Sequence, residues 1–398
     1  MDPTQAPLED PVAPREPPGP GSPTQDGAGA GPDGPPEAGA EPRPPQAGLP
    51  AWFAIIAGCS LVTTFLGHPE VALFFAGAGM FVLAQATDVA MEIAAYREWA
   101  VDSLTEGAVP GRIFRLVARA VVPALGTTFY IVMGSYAWQL GDDFTHRLAA
   151  VWCFAAAAIS LALVAHPVID RIAIAMFREG PVGRTRRLTA RLIVLALLLP
   201  LPTQALLPEI IDAMREQPQP FADTKALVAQ LLGEVVVALA GVGWLVRRRW
   251  PETAERLGLG AVRLSHAGII LAGIAAALAI NAGMESLQRF ALPGLWRQDQ
   301  EVTAMIASNM AIGTALVLGL SAGLGEEIVL RGALQPRLGV VLTSVVFACG
   351  HVQYSWFGML TISLLGIMLG LVRLRTNTTV AILVHGLYDV FAVLSAPR

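Results

Sequence analysis

Three polar clusters near the end of this sequence are built from residues that can do acid–base chemistry. The first is Ser321-Ala-Gly-Leu-Gly-Glu326-Glu327-Ile-Val-Leu-Arg331-Gly332, the second Phe347-Ala-Cys-Gly-His351, and the third His385-Gly-Leu-Tyr-Asp389. Glu327 and Arg331 are four residues apart, so on a helix they share a face, in the Glu-before-Arg order that favours pairing. Glu326 is rotated by about 100° and points elsewhere. One carboxylate can then be neutralised by arginine while its neighbour stays free to act as a base. Phe347 and His351 are one turn apart, which sets the ring beside the imidazole. His385 and Asp389 repeat that spacing, and the Asp carboxylate can orient the imidazole and set its tautomer. The chain holds six histidines, and of these only His351 and His385 lie well inside the motif-bearing segments.

These groups sit in a sequence that is 54% hydrophobic and 15% charged, with a mean hydropathy of +0.56. Soluble domains carry about 25% charged residues. The apolar residues fall in blocks of roughly 16 to 25, the length that crosses about 30 Å of hydrocarbon as a helix. Backbone groups in lipid must bond internally, and barrel-type alternation is absent, so each block is predicted to be helical. The predicted helices cover about 51–66, 71–94, 114–138, 148–168, 192–211, 225–246, 265–284, 302–325, 338–353, 357–372 and 378–395. The predicted fold is therefore all-α, a polytopic transmembrane bundle of about 10–11 spans.

Residues 1–49 are mostly Pro, Gly, Ala, Glu and Asp and cannot bury enough apolar surface to offset the entropy of ordering. They read as a disordered tail without the apolar stretch of a signal peptide. The exposed basic connection Arg247–Arg263 divides the remainder into an accessory transmembrane region, 50–246, and a region at 247–398 that holds all three clusters. Cys59, Cys153 and Cys349 have neither metal-type nor disulfide-type spacing. A net charge of −4 gives no reason to expect a nucleic-acid partner.

Alternate loops differ in arginine content along the whole chain. One set carries Arg97, Arg112 and Arg115, then Arg171, Arg178, Arg184, Arg186, Arg187 and Arg191, then Arg247, Arg248, Arg249, Arg256 and Arg263, and finally Arg331, Arg337, Arg373 and Arg375. The other carries Arg147, Arg215, Lys225, Arg289 and Arg297. The bias places the N-terminus and the arginine-rich loops in the cytoplasm and the chain in the cell (inner) membrane.

An ionisable group inside a spanning helix costs about 2.5–3.5 kcal/mol on insertion scales, so it is read as functional by default. Asp88, Glu92 and Glu234 lack histidine neighbours in sequence and read as interhelical polar contacts. Gly319-Leu-Ser321-Ala-Gly323 matches G-x-S-x-G, but that pattern works only on a strand–turn–helix elbow. Its glycines read as sites of close helix packing. H-E-x-x-H and phosphate-binding loops do not occur. A proton-coupled carrier would also use intramembrane Glu and His, yet the internal repeats common in carriers are not evident. A catalytically idle scaffold is disfavoured by the completeness of the three clusters.

With those residues in view, the C-terminal region resembles the CAAX-protease/bacteriocin-processing (CPBP, or Abi) family of intramembrane peptidases. That family's signatures are E-E-x-x-x-R, F-x-x-x-H and H-x-x-x-N/D, in this order on successive helices. Here they appear as Glu326-Glu327-x-x-x-Arg331, Phe347-x-x-x-His351 and His385-x-x-x-Asp389. Leu330 stands where many members have an aromatic, and the last motif ends in Asp rather than the common Asn.

The resemblance implies an endopeptidase in which Glu326 and His351 activate water. Glu327, Arg331 and Phe347 would support the site, and His385 and Asp389 would polarise the scissile carbonyl. It implies a membrane-associated protein or peptide substrate: a prenylated CAAX protein, a leader peptide or an anchored regulator. Members are often labelled metalloproteases. His351, His385 and Glu326 could supply three ligands to Zn²⁺ and leave a water site, although the glutamate–histidine mechanism implied here needs no obligatory metal.

A uniform topology sets Glu326 near one end of its helix and His351 about thirteen residues into the next, roughly 20 Å of rise. The two meet only if the 328–341 segment dips inward or the His351 helix is displaced, and Pro336 and Gly339 permit such a break. The orientation is checked by cysteine-accessibility labelling. Single cysteines in the 171–191 and 247–264 loops should react only from the cytoplasmic side, and labelling of either loop from outside would overturn the assignment.

Overall fold

The computed structural model describes residues 48–96, 109–177, 183–216, 223–307 and 310–396, with backbone alone for 90–96 and 109–118. The tail read at 1–49 lies outside these residues, apart from Gly48 and Leu49, which open the first helix. The side chain of Glu92 lies outside them too.

The chain is built from helices, and no β-strand forms among the described residues. The accessory part contains α1 (Gly48–Phe65), α2 (Ala72–Tyr96), α3 (Val109–Leu140), α4 (Phe144–Ala162), α5 (His166–Met176), α6 (Arg184–Leu198), α7 (Pro200–Ala205), α8 (Leu207–Arg215) and α9 (Thr224–Val242). Then follow α10 (Trp250–Arg256), α11 (Ala267–Ala291), α12 (Pro293–Ala307), α13 (Ile312–Ser321), α14 (Gln335–Cys349), α15 (Trp356–Arg375) and α16 (Thr378–Ser395). Among the described residues, ten helical stretches are long and apolar enough to cross a bilayer. Large apolar side chains such as Phe65, Leu271 and Phe290 face outward, as they do where the surroundings are hydrocarbon.

Local chemistry accounts for most of the boundaries. Asp143 accepts from the backbone N–H groups of Thr145 and His146 and starts α4, whereas the sequence blocks placed that helix four residues later. Ser355 caps α15 through the Gly358 N–H, and Asn377 caps α16 through the Val380 N–H. These are the side chains that best satisfy the orphan donors of a first turn.

The loop expected between the eighth and ninth blocks is helical as far as Leu338, and the break that Pro336 and Gly339 permit falls at Gly339. Helix α13 continues through two π-helical stretches, Ala322–Glu326 and Ile328–Leu334, into the start of α14. Hydropathy had placed a loop here because of Arg331, but that residue is fully buried and belongs to the helix, so it drops out of the orientation count. As a straight rod the 38 residues Ile312–Cys349 would measure about 57 Å, nearly twice the hydrocarbon thickness. The chain turns at Gly339, whose φ of 77° is a left-handed conformation open to glycine.

Small residues bring α13 and the first π-stretch onto α16. A Cβ added at Gly319 would run into the Gly386 carbonyl and Val390, and one at Gly323 would meet the backbone of Ile382 and Gly386. Close approach of backbones through small residues is the usual route to helix association in lipid. The substitution Gly319→Val should therefore lower detergent stability by about 1–3 kcal/mol, read as a fall in melting temperature, while Gly313→Ala, with open space around it, should not.

Candidate active site

The π-helical stretches carry the first cluster. A π-turn inserts an extra residue and is found mostly at functional sites. Its irregular carbonyls need outside partners: Arg256 of α10 donates to the Gly332 and Ala333 carbonyls at 3.1 Å each. Helix α9 packs on the same segment, with Ala238 and Val242 in one apolar cluster with Leu257 and Ile328.

Arg331 and Glu327 are both fully buried. Glu327 Oε2 lies 3.3 Å from Arg331 Nε, at an angle that makes the contact ionic rather than a directed hydrogen bond, since neither atom has a hydrogen-bond partner. Arg331 Nη2 donates to the Gly366 carbonyl on α15 at 3.0 Å. Its guanidinium carbon sits 5.1 Å from the centroid of the Phe347 ring, within cation–π range.

Glu327 also reaches across to α16, where its Oε1 accepts from His385 Nδ1 at 3.0 Å. The other ring nitrogen, Nε2, lies 3.3 Å from Asp389 Oδ2 and 3.9 Å from Glu326 Oε2. His385 thus stands among three carboxylates, and the one held closest is Glu327. Glu326 differs in kind from its neighbour. Its side chain keeps 18% exposure and makes no ion pair with an arginine among the described residues.

His351 lies just past the end of α14, in the turn before α15. Its Nδ1 donates to the Phe347 carbonyl at 3.0 Å, which leaves Nε2 as the open acceptor. The Phe347 ring stands edge-on to both imidazoles, 4.8 Å from His351 and 5.9 Å from His385. Glu326, Glu327, Arg331, His385 and Asp389 therefore form one contact network, which His351 joins through Phe347. No ion pair links His351 to Glu326 among the described residues.

The turn that carries His351 is fastened from α12. Asp299 accepts from the Ser355 backbone N–H, the Ser355 hydroxyl and Gln288 Nε2, each at 2.6 Å. Sequence reasoning did not single out Asp299. A buried Asp in a half-apolar helix was the available signal.

Comparison with known families bears on this same segment. The family described as type II CAAX prenyl endopeptidase Rce1-like matches residues 307–391. Residues 307–391 form an Rce1-like domain. Every residue of the three clusters lies inside it. No curated protein and no solved structure gives a significant match to the chain. The match is consistent with the CPBP resemblance, and it lies in a multi-pass membrane protein.

One carboxylate from outside the Rce1-like domain reaches its centre. Glu234, on α9, receives Gln230 Nε2 at 2.8 Å on Oε1, while Oε2 is buried without a partner. A Cβ at Gly325 would overlap the Glu234 carboxylate, so the glycine before Glu326 is what admits it. Glu326 and His385 are its charged neighbours. Glu234 is thus an interhelical contact, but one made at the site. Asp88 accepts from the Arg184 backbone and side chain and ties α2 to α6 instead. Ser321 donates to the Leu318 carbonyl within its own helix.

His385 gives Nδ1 to Glu327, and both His351 and His385 stand edge-on to the Phe347 ring. Among the described residues no group of three or more His, Cys, Asp or Glu side chains is arranged to hold a metal ion. His351, His385 and Glu326 do not present a joint ligand set. The ion pair yields a stability prediction. Glu327→Gln leaves Arg331 buried without its counter-charge and should destabilise the Rce1-like domain by about 3–5 kcal/mol, whereas Glu326→Gln should melt close to wild type. Equal melting temperatures for the two variants would contradict the pairing.

Proposed function

We propose that this protein is an intramembrane endopeptidase in which Glu326 and His351 activate a water molecule and His385, with Asp389, polarises the scissile carbonyl. The observation that supports this reading best is the unequal treatment of two adjacent carboxylates inside the Rce1-like domain. Glu327 is sealed between Arg331 and His385, while Glu326 keeps partial access and no cationic arginine beside it. A base must be both reachable and unneutralised.

In this reading Glu326 takes a proton from water and the oxygen attacks the carbonyl carbon. As the C–N bond breaks, the same carboxyl group returns the proton to the leaving amine. His351 orients the water through its open Nε2. The Nε2 of His385, at 3.3 and 3.9 Å from its carboxylates, is too distant from either for a tight bond. Its proton is therefore available to a carbonyl oxygen that develops negative charge. Glu234, wedged against Gly325, brings a third acid into contact with the segment that carries Glu326 and Glu327. The substrate is a membrane-associated protein or peptide, entering in the bilayer with the arginine-rich loops on the cytoplasmic side. No obligatory metal takes part.

Purified wild type and Glu326→Gln, assayed on a fluorogenic peptide in vesicles, provide the test. Cleavage should vanish in the variant, while its melting temperature is retained. Wild type dialysed against a strong chelator should keep full activity, and elemental analysis should show no stoichiometric metal. Residual cleavage by Glu326→Gln would refute the assignment of the base, and metal content that tracks activity across His385→Ala would refute the metal-free mechanism.

A further inference from the structure

The connection between α4 and α5 gathers positive charge that its acids do not balance. Arg191 of α6 donates through Nε to the Leu163 carbonyl at 3.1 Å, and Arg119 of α3 reaches the Val164 carbonyl at 3.4 Å. Both carbonyls belong to the end of α4, where a cation also meets the negative end of the helix dipole. Arg187, one turn before Arg191 on α6, is held by Asp170 of α5 through Nε at 2.6 Å. Arg119, Arg187, Arg191 and Asp170 are all electrostatic neighbours of His166, the first residue of α5. Three guanidinium groups thus face one carboxylate around one imidazole.

Helix capping accounts for only part of this. Arg191 is 3% exposed, yet its Nη2 has no hydrogen-bond partner, and neither does His166 Nε2. A buried donor without an acceptor is rare enough in folded proteins to call for a missing partner. Burial and the surrounding arginines hold the His166 imidazole below its usual value, toward the neutral form. One partner would answer all of these conditions. It must carry negative charge, offer several acceptor oxygens, and reach the boundary between a spanning helix and the arginine-rich end of the bundle.

We propose that Arg119, Arg187, Arg191 and His166 form a binding site for an anionic phosphate group. The planar guanidinium fork matches phosphate oxygens. Arg119, exposed at the rim, makes the first contact, and Arg191 closes on the group from beneath. A phospholipid headgroup and free phosphate share this chemistry. The location favours the headgroup, because basic pockets between spanning helices at the membrane surface hold anionic lipids. The site is remote from the Rce1-like domain in sequence and does not depend on the proposed hydrolysis.

The test uses the full chain in a neutral detergent with dioctanoyl phosphatidylglycerol, dioctanoyl phosphatidylcholine or inorganic phosphate as probe. Melting temperature and native mass spectrometry report binding. Phosphatidylglycerol should stabilise the protein and remain bound, and phosphatidylcholine should do neither. In Arg119→Gln the affinity should fall by about tenfold, the equivalent of one charge-assisted contact, and Arg119→Lys should restore part of it. Stabilisation by inorganic phosphate that competes with phosphatidylglycerol would support the site with free phosphate as its source. Equal stabilisation by both lipids, or unchanged affinity in Arg119→Gln, would overturn the proposal.

Discussion

The site is organised around one buried guanidinium. Arg331 has no access to solvent, so its charge must be answered within the protein, and three elements are recruited to do it. Glu327 answers from its own π-turn, the Gly366 carbonyl from α15, and the Phe347 ring from α14. Each of these partners belongs to the three-cluster site or adjoins it. Glu327 extends to His385 and so fixes the α16 side, and Phe347 stands against both histidines. Removing a buried charge's partner costs far more than an ion pair contributes at a surface. The geometry of four helices is therefore coupled to one ionic contact.

The close approach of those helices is made possible by absent side chains. Gly319, Gly323 and Gly386 let α13 and α16 touch backbone to backbone, and Gly325 opens the space into which Glu234 projects. Gly366 allows α15 to lie against Ser344 and Phe347. The polar groups are then satisfied across helix boundaries: Gln335 donates to the Gly370 carbonyl and Thr378 to the Leu257 carbonyl. In a medium without water these cross-helix bonds take over the role that solvent plays at the surface of a soluble protein.

Much of this could be read from the residues in order. Blocks of apolar residues gave the helical class and nearly the right number of crossings, because the thickness of hydrocarbon sets a length that few other constraints mimic. The i, i+4 spacing placed Glu327 on Arg331 and His385 near Asp389, since those contacts are local to one helix. What stayed hidden was whatever depends on two distant segments. Nothing near Glu327 in sequence points to His385, and nothing near Glu234 points to Gly325. The same blindness misplaced the end of the eighth block. A charged residue signals a loop unless it is known to be paired, and the partners of Arg331 are partly 35 residues away. Asp299 escaped notice for the same reason, its partners being Gln288 and the far side of the His351 turn.

The position of the Phe347 ring has a consequence for how protons move. An aromatic ring has no site that can accept a proton and hand it on. The edge-on contacts that Phe347 makes with both imidazoles therefore couple the two histidines by packing and not by a proton relay through the ring, so a smaller side chain at this position would loosen both at once.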